Sequence, residues 1–435
     1  MVVLYQIYNF LQYNLREIDE FSQNGNCTFN GCGVIIVESI SPLAIADELA
    51  APTVEDLVAR ARALVPLLKE RAAEDEKNGL VNPDTVRRMK EAGLFRVFQA
   101  RRWDGYELGQ RAFAEVQMTL AEGDMSVAWI FGVISLHSLH ICLMEDQAAQ
   151  DVWGEDSSVL IASPYMPGGI AKPVPGGYEI SGRWAYSSGC DHCEWTFLGG
   201  IVDGTDGQDL RSFLLPRADA KIVGGWDVPG LQATGSQDIL VEKAFVPEHR
   251  THKFIDGYNC QNPGRFVNSG PIYRLPFMLV FMRGITNSQI GALQAMVDLF
   301  KEYAREKVFV GTRTGRDPDA HYAVAMATAG IAEMKNTLFA NLQTMAEYAE
   351  RNEPLPMEMR HLFRLQSAAV ADRCVRLAED MMTIAGGGGV YEKTSIPRIY
   401  RNMRCGRQHA AAQFRMYART FGDLLMGGAP VDLML

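Results

Sequence analysis

Two long stretches of helical periodicity enclose a block of short β-branched and aromatic runs, and that order restricts the fold more than any other feature of the chain. From Pro52 the helical grammar is plain: Thr53 with Asp56 forms a capping-box pattern, and Val54, Leu57, Val58, Ala61, Leu64, Val65 and Leu68 recur at helical spacing. A second helix is predicted with Asn82 as N-cap, Pro83 in its first turn and Gly93 after its end. Residues 110–150 are apolar almost all round, as suits a helix buried inside a large protein. Near Trp153 the period breaks. The runs SVLIASP, GGYEISGRWAYSS, EWTFLGGIV, SFLLP, KIVGGW and DILVEKAFVP follow, punctuated by Gly, Pro, Asp and Asn, which predicts an antiparallel barrel or sandwich. After Pro263 helical periodicity returns and lasts to about residue 425, as in a bundle with short connections.

The expected class is therefore mainly α with a central β domain. Residues 51–155 form an N-terminal helical domain, 156–262 the β domain and 263–435 a C-terminal helix bundle. A chain of 435 residues exceeds the usual size of one core, about 100–200 residues, so several units are expected. Residues 1–50, with aromatics, Asn and two cysteines but no sustained period, read as an extension outside the functional fold.

Charge and apolar runs exclude several functions. Lys and Arg number 42 against 52 Asp and Glu, a net −10, and no segment is a basic block, which disfavours nucleic acid and anionic membrane surfaces as partners. No run approaches the roughly 18 apolar residues of a spanning helix. The N-terminus lacks the basic start and small-residue cleavage site of a signal peptide. Eight cysteines are too few for a disulfide scaffold, so reduced thiols and a cytoplasmic location are expected.

Three constellations carry candidate chemistry. In YEISGRWAYSSGCDHCEW, residues 178–195, a tight turn at Gly182 is expected before an aromatic strand and a serine pair; Trp184, Tyr186, Ser187 and Ser188 suit a wall for a flat conjugated ligand or, equally, a plain hairpin. Cys190 and Cys193 spell CxxC, but a structural zinc needs four ligands and no second pair exists, so no metal is expected. In SLHSLH, His137 and His140 share a helix face, facing either a site or core partners. In residues 386–414 four glycines permit close backbone approach, Arg398, Arg401, Arg404 and Arg407 recur every three residues as a solvated face or an inter-subunit row, and His409 follows. No P-loop or G-x-G-x-x-G turn is present.

These residues carry a resemblance over about residues 52–435 to the acyl-CoA dehydrogenase fold. Within it the chain is similar to the oxygenase components of two-component flavin-dependent aromatic monooxygenases, of the p-hydroxyphenylacetate and 3-hydroxy-secosteroid hydroxylase type. The motifs are LHSLH at 136–140, WGEDSSVLIASPY at 153–165, WAYSSGCDHCEW at 184–195, GLQATGS at 230–236 and RNMRCGRQHA at 401–410. Acyl-CoA dehydrogenases commonly carry a Tyr-Glu-Gly-Thr motif whose Glu abstracts the substrate proton. Here Arg407-Gln408-His409-Ala410 offers no carboxylate, and neither does YRLPFMLVFMRG at the alternative base position, so acyl-CoA oxidation by bound FAD is the weaker expectation, beside an N- or S-oxidising relative.

The resemblance implies reduced FMN or FAD delivered by a separate NAD(P)H:flavin reductase, reaction with dioxygen to a C4a-hydroperoxyflavin, and hydroxylation ortho to a phenol oxygen. It implies that Ser188, with Ser187 or Ser163, meets the flavin N5 edge, and that Trp184 and the Gly230, Thr234, Gly235, Ser236 turn line the flavin and its phosphate, with Arg305, Gly387 and Gly388 also on the cofactor. His137 and His409 become the active-site histidines, one acting on the phenol proton. His140, Phe277, Met278 and Phe281 become substrate contacts, and a homotetramer is expected. A phenol near pKa 10 facing an imidazole near 6.5 is mismatched by roughly 4.8 kcal/mol, which desolvation and hydrogen bonding must recover. The nearly apolar RLPFMLVFMRG segment, flanked by Arg274 and Arg283, favours an uncharged phenol or a fused aromatic such as indole.

Overall fold

A computed structural model describes residues 51–309, 312–429, 432 and 435. The expected extension over 1–50 lies outside the described residues. Helix α1 (Val54–Asn78) starts on the capping box read from the sequence, with Thr53 and Asp56 each bonding the other's backbone, and stops at Gly79 with φ +64°. Helix α2 (Pro83–Glu91) starts on the Asn82 side chain. The apolar stretch after residue 110 is not one helix. Asp124 accepts from the Ser126 N–H and restarts the chain, giving α3 (Gln110–Ala121) and α4 (Met125–Ile141), followed by α5 (Asp146–Trp153). Every residue of α4 is buried.

The β region forms one eight-stranded sheet of mixed sense. It comprises β1 (Ile161–Ala162), β2 (Gly169–Val174), β3 (Gly177–Ser187), β4 (Trp195–Val202), β5 (Leu210–Pro216), β6 (Lys221–Gly224), β7 (Gln237–Pro247) and β8 (Thr251–Lys253). Their order is β6-β7-β3-β2-β4-β5-β8, with β1 beside β4. The antiparallel expectation fails at β4, which pairs in parallel with both β1 and β2. The reason is the β2–β3 hairpin: β3 leaves on one side of β2, so the chain returns for β4 on the other side in the original direction. Gly182 is not a turn. It sits mid-strand at a register shift, paired with Gly169 and Val241, where a Cβ would lie 2.5 Å from the Gly168 carbonyl oxygen.

Past the short α6 (Phe254–Asn259) comes α7 (Phe277–Glu306), which packs against α3 and α4 on one side. Its other neighbours are α8 (Pro318–Glu350), α9 (Met357–Gly389) and α10 (Ile396–Gly406); α11 (Phe414–Leu425) closes the bundle on α9. A two-residue ribbon, β9 (Val308–Phe309) with β10 (Thr312–Arg313), links α7 to α8. Small residues let α7 approach closely. A Cβ on Gly291 would stand 2.1 Å from the Met118 carbonyl oxygen, and one on Gly284 would stand 2.4 Å from Leu136 Cδ1. The recurring arginines of α10 form no single row: Arg401 binds Glu76 and Glu392, Arg407 reaches Asp372, Arg404 lies over Tyr400, and Arg398 is buried.

Because the atom opposing Gly291 is backbone, Gly291→Ala should cost about 2–3 kcal/mol. Gly422→Ala, inside α11 with open space around it, should be neutral or stabilise by up to about 1 kcal/mol. Urea midpoints of the two variants check the packing, and equal midpoints would contradict it.

Candidate active site

His137 on α4 is fully buried, and both ring nitrogens are engaged. Nδ1 lies 2.5 Å from the Ile161 carbonyl of β1, which only accepts, so Nδ1 carries the proton. Nε2 is then a bare lone pair that takes the Ser163 hydroxyl proton at 2.7 Å. The Ser163 oxygen keeps lone pairs free for an incoming hydroxyl. Burial holds the His137 ring down to about 4, so it is neutral at pH 7. Phe281 of α7 stacks over it with centroids 6.1 Å apart, and Tyr165 meets it edge-on at 5.6 Å.

His140, expected at the substrate, is committed elsewhere. Its Nδ1 meets the Tyr165 hydroxyl at 2.6 Å and its Nε2 meets His252 Nδ1 at 2.9 Å, while His252 Nε2 meets Asn262 Oδ1 at 3.0 Å. The ring lies between Phe197 and Phe277, with centroids 4.4 and 4.3 Å away. Phe277 thus packs on His140, Phe281 on His137, and Met278 is buried on the same turn of α7. The Tyr165–His140–His252–Asn262 chain was not legible in the sequence, because its members come from α4, the loop after β1, β8 and the loop after α6.

The serine pair divides. Tyr186 takes a left-handed φ of +71°, which breaks the alternation of β3 and turns the pair onto α4. The Ser187 hydroxyl is buried and, among the described residues, has no partner within hydrogen-bond geometry, whereas the Ser188 oxygen receives the Trp129 indole N–H at 3.2 Å and meets Ser236 Oγ at 2.7 Å. Ser236 Oγ meets Thr234 Oγ1 at 2.7 Å, and Thr234 donates to the Leu231 carbonyl at 2.8 Å. The Gly230–Ser236 turn is pinned from two sides. Asn402 of α10 accepts the Leu231 N–H at 2.7 Å, and the Thr234 carbonyl accepts the Gly189 N–H at 2.8 Å. Gly230 admits no side chain, since a Cβ would lie 2.5 Å from the Arg401 carbonyl oxygen, and Gly235 has φ +51°.

Trp184, expected on the flavin, is instead a core residue. It is 1% exposed, its indole N–H donates to the Gly199 carbonyl, and Gly168 and Gly169 press on its ring. The aromatic surface left open beside the serine pair is Tyr186, 68% exposed, with Trp226 edge-on at 6.0 Å. The CxxC cysteines are buried thiols, Cys193 donating to the Gly189 carbonyl. Among the described residues no cluster of three or more His, Cys, Asp or Glu could hold a metal.

His409 stands edge-on to Trp129, with centroids 5.6 Å apart. Its Nδ1 accepts the Ala411 N–H at 3.0 Å, so the neutral ring carries its proton on Nε2 and presents a donor. Burial, and the Arg364 guanidinium nearby, hold this ring down to about 4. Arg364 is 1% exposed, stacks 3.7 Å over Tyr417 and donates to the Ala411 carbonyl, while its Nε and Nη2 have no hydrogen-bond partner among the described residues. Trp129 and Arg364 escaped sequence reading, because each lies within a helical period where it reads as core or surface.

Arg305, Gly387 and Gly388 do not join this group within the chain. Arg305 follows Phe281 by 24 residues of α7, about 36 Å along the helix axis. Gly388 lies at the same far end, where a Cβ would meet Tyr303 and Lys307.

The remaining residues fit a flavin: an open Tyr186, a buried Ser187 hydroxyl with no partner among the described residues, and a Ser188 oxygen with one acceptor position left. Residues 284–414 match the model of the acyl-CoA dehydrogenase C-terminal domain. The crystal structure of a 3-HSA hydroxylase from Rhodococcus sp. RHA1 superposes with TM-score 0.84 at 32% identity, covering 87% of this chain and 99% of that one. The fold is that of the acyl-CoA dehydrogenases. The flavin-dependent monooxygenase oxygenase subunit HsaA of Rhodococcus jostii (strain RHA1) is 34% identical over 357 residues, covering 81% of this chain and 93% of that protein. The p-hydroxyphenylacetate 3-hydroxylase oxygenase component of Acinetobacter baumannii is 26% identical, covering 86% and 89%. The chain belongs to this family of oxygenase components of two-component flavin-dependent monooxygenases.

The buried rings make stability depend on pH. His137, His252 and His409 stay neutral in the folded chain down to about 4. The unfolded chain protonates its histidines near 6.5. Between those values the unfolded state binds more protons, so stability is full above about pH 6.5 and falls as the pH drops towards 4, by up to ~3 kcal/mol for His137 alone. Asp124, raised by burial to about 6, and Asp75 and Asp256, also raised by burial, act in the opposite sense and offset part of the loss. Denaturant unfolding should show a clear loss from pH 7 to pH 5, and equal stability at both would contradict neutral buried rings.

Proposed function

We propose that this oxygenase binds reduced flavin with Ser188 at its N5 edge and hydroxylates a phenol or fused aromatic, with Ser163 and His137 receiving the substrate proton and His409 donating. The family supports the general activity: an oxidoreductase that uses reduced flavin, supplied by a separate reductase, to oxygenate an aromatic substrate. When bound, the reduced flavin activates dioxygen and supplies the oxygen atom. Every other role belongs to this chain.

One observation carries the division of labour, the hydrogen bond from His137 Nδ1 to the Ile161 carbonyl. It leaves Nε2 as a base hydrogen-bonded to the Ser163 hydroxyl, so a proton from substrate reaches the imidazole through Ser163. With the ring held down to about 4 by burial, that transfer runs together with oxygen attack, as the phenol turns acidic, and not ahead of it; the imidazolium so formed keeps its bond to the carbonyl. His409 is arranged the opposite way: its lone pair is occupied by a backbone N–H, leaving an N–H to stabilise negative charge. The apolar walls of Phe277, Met278 and Phe281 suit an uncharged aromatic. The missing carboxylate at 407–410 argues against thioester desaturation.

A homotetramer is part of the same reading. Tyr322 and Met326 are exposed on the outer side of α8, 62% and 44%, as a helix covered by other copies would have them. A second copy would also give Arg305 and the Gly387–Gly388 end of α9 a route to a shared cofactor. Among the described residues no helix is long and apolar enough to cross a membrane.

Turnover with photoreduced flavin, oxygen and a panel of phenols and indoles tests the assignment. Ser163→Ala should lower the hydroxylation rate about 10²-fold and shift the rate towards high pH, where the phenol ionises unaided, while flavin oxidation continues. His409→Ala should lower the rate without that shift. If the pH shift appears in His409→Ala and not in Ser163→Ala, the roles are reversed.

A further inference from the structure

We infer that Ser236 and Thr234 fix the direction in which Ser188 donates its proton, so that Ser188 faces the flavin edge only as an acceptor and the site selects the reduced cofactor over the oxidised one. The inference rests on the reading that places Ser188 at flavin N5. Reduced flavin carries a hydrogen on N5, whereas oxidised flavin presents N5 as a bare acceptor. A serine that can only accept therefore distinguishes the two.

The direction follows from counting protons. The chain runs Trp129 Nε1, Ser188 Oγ, Ser236 Oγ, Thr234 Oγ1, Leu231 carbonyl, with steps of 3.2, 2.7, 2.7 and 2.8 Å. All five residues are less than a tenth exposed. The indole only donates and the carbonyl only accepts. Between them are three hydroxyls with one proton each. Four contacts and four protons allow one complete arrangement: Trp129 to Ser188, Ser188 to Ser236, Ser236 to Thr234, Thr234 to Leu231. The Ser188 oxygen then accepts once, donates once and has one position left, which accepts an N5–H.

Turning the Ser188 proton outward, as oxidised flavin requires, leaves two hydroxyl protons for three inner contacts. One of the pairs Ser188–Ser236, Ser236–Thr234 or Thr234–Leu231, 2.7, 2.7 and 2.8 Å apart, then faces oxygen to oxygen with no proton between them. One buried hydrogen bond is lost, roughly a tenfold preference for the reduced cofactor. The chain also ends on a carbonyl, which takes up no proton at neutral pH, so it offers no exit for the N5 proton. Thr234 and Ser236 are therefore positioning residues acting through Ser188.

A purely structural role is the competing account, since these hydroxyls also tie the 187–191 and 230–236 loops together. Anaerobic fluorescence titration of the intact protein with reduced and with oxidised flavin separates the two accounts. The wild type should bind the reduced form about tenfold tighter or more. Thr234→Val, of nearly the same shape, and Ser236→Ala should tighten oxidised flavin and bring the ratio close to one, while Thr234→Ser should restore it. A variant that loses thermal stability but keeps the wild-type ratio overturns the inference, as does a wild type without discrimination. Failure to bind either flavin would instead sink the assignment of Ser188 to the cofactor.

Discussion

The indole of Trp129 and the two imidazoles of α4 are almost wholly shut off from water, and the site follows from how each is satisfied. A helix buried on all sides can carry an indole N–H and two imidazoles only if other segments bring partners to them. Trp129 draws in Ser188, His137 draws in Ser163 and the Ile161 carbonyl, and His140 draws in Tyr165 and His252. The loop before β4, the end of β1 and the strand β8 are each held to the helix by one of these bonds. The close approach of α7 through Gly284 and Gly291 then places Phe277 and Phe281 over the same imidazoles.

Burial of this kind also sets the chemistry. Desolvation keeps His137 and His409 neutral, and a neutral imidazole has one donor and one acceptor whose assignment depends on a single backbone neighbour. A carbonyl at Nδ1 makes His137 a base at Nε2, and an amide N–H at Nδ1 makes His409 a donor there. Two residues of one type thus take opposite parts because one lies beside a strand carbonyl and the other caps a short helical turn. The same logic of fixed ends orders the hydroxyls from Ser188 to Thr234.

Much of the architecture was legible beforehand. Thr53 with Asp56, Asn82 before Pro83, and the change of period near Trp153 mark features of local backbone preference, which depend on neighbours in sequence. His137 and His140 stood out as polar residues on an apolar helix, whereas the roles of Ser188 and His409 came from the family resemblance. Trp184 did not behave as expected, because an aromatic beside the serine pair read as a wall for a flat ligand whereas Gly168 and Gly169 cover its ring. Gly182 looked like a turn because glycine permits many conformations, and only the strand pairing shows a bulge. Arg305, Gly387 and Gly388 resemble cofactor residues in type, yet the length of α7 separates them from Ser188 within one chain.

By itself the sequence determined the order of helical and β segments and the absence of a carboxylate before Ala410, since both are properties of local composition. It also placed His137 and His140 on one helix face and a serine pair after an aromatic strand, whose flavin roles only the family resemblance implied. Only the tertiary structure decided which nitrogen of each histidine carries a proton, that Trp129 belongs to the site, and that Ser188 accepts. Those outcomes depend on what stands 3 Å away across the fold. A hydrogen bond takes its direction from its partner, and these partners come from segments far apart in the chain.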